Sequence, residues 1–144
     1  MEREEQALRK EVVENKYSRS NLSDEQKETL VFRIQEILSN PENICQSEFT
    51  LAKLAKQADS NTTYVSQVIN ERYGQAFSNV LSSFRIKEAC RRMSDESDKF
   101  GNMTIEGIAT SVGFKSRTAF INAFKREVGL TPSEYLRMAL SKES

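Results

Sequence analysis

The chain has 144 residues, enough for one ordinary domain or for two small helical ones, with 38% hydrophobic and 29% charged residues. It contains no apolar run near the roughly 20 residues of a membrane span, no signal-peptide block in its opening "MEREEQALRK", and no histidine, which removes His-based acid–base pairs and the usual zinc spacings. The formal net charge is zero, yet residues 1–48 hold 7 Lys/Arg against 11 Asp/Glu while residues 49–144 hold 14 against 10, so a polyanion would meet the second part.

Residues 1–22 are dense in charge, with Leu8, Val12 and Tyr17 as sparse apolar points, and read as a charged linker or helical extension. Ser23 opens "SDEQ", a capping box, and the run behind it places Leu30, Ile34, Ile37 and Leu38 on one face. This leading helix, within 23–48, is expected to pack on the first subdomain, and Phe32 falls off its apolar face. Thr50 caps "LAKLAKQA", a break comes at "DSN", and Asn61 caps "TTYVSQVINERY", which buries Val65, Val68 and Ile69 and stops at Gly74. Two short helices about a tight turn make residues 49–75 a helix-turn-helix.

Residues 76–95 predict a connecting helix with two apolar faces: Phe77, Val80, Leu81 and Phe84 on one, Ile86, Ala89, Cys90 and Met93 on nearly the opposite one. Its first half should pack on the residues before it and its second half on the residues after it. A polar loop, "SDESDKFGN", leads to residues 104–140, where the outline recurs as "TIEGIATSVGF", "SRTAFINAFKREV" and "TPSEYLRMALSK". Ala55 corresponds to Ala109, Asn61 to Ser116, Val65 to Phe120, Ile69 to Phe124 and Gly74 to Gly129, an offset of 54 before the turn and 55 after it. The expected fold is all-α: two helix-turn-helix subdomains joined by a shared connecting helix, plus the N-terminal helical extension.

With Phe120 and Phe124 inward, Thr118, Asn122 and Lys125 point outward in the second copy, with Arg117 and Ile121 at the shoulders. In the first copy Thr63, Gln67 and Asn70 point outward, with Thr62 and Ser66 beside them. None of these residues is acidic, which suits an anionic partner. Asn and Gln can pair bidentately with adenine, Arg with guanine, and an aliphatic carbon can meet the thymine methyl.

At "IEGIATSVGFKSRTAFINAFKREVGLTPSEYL", together with "FRIKEACRRM", the chain resembles the DNA-binding domain of the AraC/XylS family of bacterial transcription regulators over about residues 49–140. The resemblance implies double-stranded DNA as partner and two recognition helices in successive major grooves, about 34 Å apart. It implies base contacts at Thr62, Thr63, Ser66 and Gln67, and at Arg117, Thr118, Ile121 and Asn122. Backbone contacts are expected at Asn70, Lys125, Ser116 and Thr131, the last two at helix starts whose free N–H groups suit phosphate. Arg85 stands open between a DNA contact and a structural ion pair with Glu88 or Glu127. Two departures stand out: Asp59 replaces the glycine common in the first turn, and Asn122 stands where a basic residue is common.

The chain is expected to be the output end of a longer regulator, reached from an upstream sensing domain or dimer partner through its N-terminal region, with RNA polymerase as another candidate partner. A cytoplasmic setting is expected, as a free protein or as the cytoplasmic part of a membrane-anchored regulator. No metal, cofactor or small-molecule site is visible, Cys45 and Cys90 read as two buried thiols, and no catalytic constellation can be assembled. The competing reading is a helical interaction or dimerisation module without specific DNA readout, for which Phe32 is the best evidence.

Overall fold

The computed structural model describes residues 22–95 and 103–142. The charged opening stretch, apart from Leu22, and most of the polar loop after residue 95 lie outside the described residues. Among the described residues all regular structure is helical. The elements are α1 (Asp24–Leu38), α2 (Pro41–Ile44), α3 (Leu51–Gln57), α4 (Thr62–Tyr73), α5 (Phe77–Met93), α6 (Ile105–Ser111), α7 (Arg117–Val128) and α8 (Pro132–Lys142). No helix of the described residues is long and apolar enough to cross a membrane.

The described residues divide into two compact units, 22–37 with 50–77 and 38–49 with 78–95 and 103–142. Residues 38–48, part of the 23–48 segment expected to pack on the first subdomain, group with the second unit. Within the first unit, α1 buries Leu30, Val31 and Ile34, α3 buries Leu54 and Ala55, and α4 buries Val65, Val68 and Ile69. The capping box at Ser23 is formed: Gln26 N–H donates to Ser23 Oγ at 3.1 Å, and Ser23 N–H donates to Gln26 Oε1 at 2.8 Å. Phe32 is 61% exposed, as its place off the apolar face requires.

In the second unit, α5 contributes Ile86, Ala89 and Met93 to a core completed by Ile108 and Ala109 of α6, Val112 and Phe114 of the turn, and Phe120, Ala123 and Phe124 of α7. Phe114, Phe120, Phe124 and Tyr135 succeed one another through ring contacts of 5.4, 5.6 and 5.6 Å, with edge-on or tilted geometry.

The two helix-turn-helix units share one local grammar. Thr50 and Thr104 cap seven-residue first helices, accepting from Lys53 N–H at 3.2 Å and Gly107 N–H at 2.9 Å. Each first helix then ends in a left-handed residue, Asp59 at φ 58° and Gly113 at φ 104°. The residue after it donates its N–H back to the first helix, Ser60 to Ala55 O and Phe114 to Ala109 O. Asp59 takes the left-handed conformation because its short polar side chain tolerates it better than a bulky or branched one.

Asn61 and Ser116 cap the second helices, accepting from Tyr64 N–H at 2.8 Å and Ala119 N–H at 3.0 Å. Gly74 and Gly129 stop those helices at φ 69° and 88°. By these correspondences Lys115 is the residue that lengthens the second turn.

Candidate nucleic-acid interface

The second helix of each unit is fixed by its buried stripe, which decides which side chains remain outside. On α7, Phe120, Ala123 and Phe124 are buried, so Arg117, Thr118, Asn122 and Lys125 are exposed and Ile121 lies half-buried against the core at the shoulder. Among the described residues, the side chains of Arg117, Thr118 and Asn122 have no hydrogen-bond or ion-pair partner. Arg126, absent from the sequence expectation, is exposed beside them, with Nε 3.8 Å from Glu127 Oε2. Its position one residue after Lys125 was the available signal.

The first turn of α7 carries no acidic residue, and Ser116 Oγ accepts the Ala119 N–H while its own hydroxyl proton stays available to donate. The opposite holds at α8. There Thr131 donates its N–H to Glu134 Oε1 at 2.9 Å, and Glu134 donates its own N–H to Thr131 Oγ1 at 3.1 Å. These bonds, the backbone one first, hold the Glu134 carboxyl below the usual carboxylate range. The expected capping box at the start of α8 is therefore formed, and it sets a carboxylate beside Thr131.

On α4 the structure keeps Thr62, Thr63 and Asn70 exposed and Ser66 half-buried, but Gln67 is only 1% exposed. The expectation that Gln67 points outward is thus overturned. The cause is α1, which runs along that edge of α4: Lys27 Nζ lies 3.4 Å from Glu71 Oε1, and Lys27 and Val31 line a groove with Val68 and Glu71. Gln67 Nε2 donates to Glu71 Oε2 at 3.3 Å, whereas its Oε1 has no partner among the described residues.

Asn70 uses Nδ2 to bond Ser66 O at 2.9 Å, one turn back on its own helix, leaving Oδ1 outward. Replacing Gln67 by leucine removes an unsatisfied buried oxygen without opening a cavity. Chemical denaturation of Gln67→Leu should show a change within about 1 kcal/mol, neutral or stabilising, whereas an outward base-reading glutamine would make its loss visible in sequence preference.

Arg85 resolves differently from either ion pair considered for it. It is buried, and its guanidinium donates to two backbone carbonyls of the 38–49 segment, Nε to Ile44 O at 2.6 Å and Nη2 to Gln46 O at 2.8 Å. It also lies 5.8 Å from the centre of the Phe114 ring. Burial lowers its pKa from the ordinary arginine value, the direction expected of a desolvated cation.

Glu88 is taken instead by Arg91 and Arg92, at 2.6 and 2.7 Å, and Glu127 accepts from Ser83 Oγ at 2.8 Å. Cys45 and Cys90 are half-buried free thiols whose pKa values burial pushes up, which leaves them poor nucleophiles. Among the described residues no group of His, Cys, Asp or Glu is placed to hold a metal.

With this geometry in view, the comparison with known proteins is direct. A family model described as a helix-turn-helix domain matches residues 54–138. The chain is 30% identical over 90 residues, 62% of its length, to the uncharacterized HTH-type transcriptional regulator YtdP of Bacillus subtilis. It is 31% identical over 102 residues, 71% of its length, to the RCS-specific HTH-type transcriptional activator RclR of Escherichia coli. These matches span only 11% and 33% of the two relatives. Among solved structures, the C-terminal domain of AraT, a response regulator from Geobacillus stearothermophilus, superposes with a TM-score of 0.60 at 28% identity, covering 83% of this chain and 88% of that one. From the paired helix-turn-helix units and these relatives together, the chain belongs to the AraC-type helix-turn-helix family of transcription regulators.

Proposed function

We propose that residues 49–140 are a sequence-specific DNA-binding domain that serves transcription regulation. The observation that carries this reading is the outward side of α7, where Arg117, Thr118, Asn122 and Lys125 stand exposed, acid-free and rigidly aimed by the aromatic core behind them. Arg117 and Asn122 supply the donor and acceptor edges that distinguish guanine and adenine in a major groove, and Thr118 and Ile121 supply carbon for the thymine methyl. Lys125 and Ser116 hold phosphates and carry no sequence information. The first unit contributes Thr62, Thr63 and Ser66 toward the bases and Asn70 toward the backbone, a narrower and uncharged set, so α7 carries most of the discrimination.

The remaining partners belong to the same proposal. A sensing or dimerising partner acts through the N-terminal region, where Phe32 offers an exposed aromatic ring. RNA polymerase is the further protein contact, and the compartment is the cytoplasm.

Selection of bound sequences from a random duplex pool, followed by titration at several salt concentrations, tests the DNA reading. Affinity should fall steeply with salt. Arg117→Ala and Asn122→Ala should each relax preference at one half of the selected site by about 1–3 kcal/mol. Lys125→Ala should weaken all sequences alike and lower the salt slope by about one. No preference over random duplex at any salt concentration would leave the interaction-module reading in its place.

A further inference from the structure

The residue that lengthens the second turn, Lys115, has a partner: its Nζ lies 3.3 Å from Glu48 Oε2. Both side chains are well exposed, at 68% and 70%, so the pair sits at the surface immediately ahead of the Ser116 cap of α7. The first unit has no counterpart to this residue, because there Asn61 comes directly after Ser60.

The pairing is built into the fold. Arg85 binds the carbonyls of Ile44 and Gln46, and its guanidinium lies against Gly113, where an added Cβ would fall 2.8 Å from Nε. One buried side chain thus holds both the segment that carries Glu48 and the turn that carries Lys115. Ile44 and Phe49 are buried on either side of Glu48, and Phe49 N–H donates to Gln46 O at 3.1 Å, closing a turn that sets the backbone from which Glu48 projects.

On the proposed DNA-binding reading, on which this inference rests, a lysine beside the acid-free start of α7 would bind a phosphate. A carboxylate held in contact with it opposes that. We infer that Glu48 sets the DNA affinity of the second unit by occupying Lys115, so that a cation placed at the edge of the interface is withheld from the phosphate backbone. The pair is solvent-exposed and therefore weak enough for a phosphate to compete with it.

The test titrates the full chain with its selected duplex, comparing Glu48→Gln, Lys115→Ala and the double variant, with thermal melts showing that all remain folded. Glu48→Gln should tighten binding about two- to five-fold at low salt and steepen the salt slope by about one, as one more phosphate is neutralised. In the Lys115→Ala background the same substitution should give no gain. Three results would overturn the inference: Glu48→Gln binds as the parent does; the gain persists in full without Lys115, so that Glu48 acts only as a like charge near DNA; or sequence preference shifts while affinity does not. Failure of the parent chain to prefer its selected duplex would instead remove the DNA reading itself, which separates the two outcomes.

Discussion

Gly113→Ala should destabilise the chain by about 2–4 kcal/mol, the sum of two penalties at one atom. The residue sits at φ 104°, where an L side chain is strained, and the added carbon would come 2.8 and 2.9 Å from Arg85 Nε and Cζ. Relief requires moving a buried guanidinium away from the carbonyls of Ile44 and Gln46, and those bonds are expensive to break because both charge and carbonyls are removed from water. Gly74→Ala is the control. Its φ is 69°, but nothing lies within 4 Å of the added carbon, so only the backbone term of about 1–2 kcal/mol should appear in urea denaturation. Equal losses for the two variants would mean that Arg85 does not hold the turn.

Phe124→Ala should cost about 3–5 kcal/mol, the usual range for removing a fully buried ring. Phe124 is 0% exposed and lies between the rings of Phe120 and Tyr135, each 5.6 Å away. Its loss leaves a cavity behind the face that carries Asn122 and Lys125, so the effect on DNA should exceed what stability alone explains. Binding measured well below the melting temperature should be weakened at every position of the site, because the helix loses its fixed orientation and not any one contact. Phe124→Leu, which fills most of the volume, should restore much of both.

The elements were legible because their signals are local. Asn61 and Ser116 announce helix starts through their own chemistry, Gly74 and Gly129 announce the stops, and the spacing of Val65 with Ile69 and of Phe120 with Phe124 marks the buried stripes. The outward face of α7 came from that spacing, since only one side of the helix meets the core. On α4 the same reasoning failed at Gln67. That helix is covered on a second edge by α1, and the direction from which an earlier helix approaches leaves no trace in local periodicity.

Arg85 illustrates the same limit. Spacing on a helix offers Glu88 as its natural partner, but Glu88 is claimed by Arg91 and Arg92, and the atoms that bind Arg85 are backbone carbonyls some forty residues away. Carbonyls carry no sequence signature. The capping box at Thr131 and Glu134, by contrast, is local chemistry and was legible in the sequence.

The weaving of the chain between its two units sets an order of events during synthesis. The first unit is complete once residue 77 has emerged from the ribosome, whereas residues 38–49 belong to a unit whose remaining residues are made later. Ile44 and Gln46 must therefore wait with exposed carbonyls until Arg85 is made, and the span between them is closed more cheaply if residues 50–77 have already collapsed into their own core, shortening the effective loop. A nascent chain of this design therefore carries the 38–49 segment without the side chain that binds its carbonyls until α5 has been made.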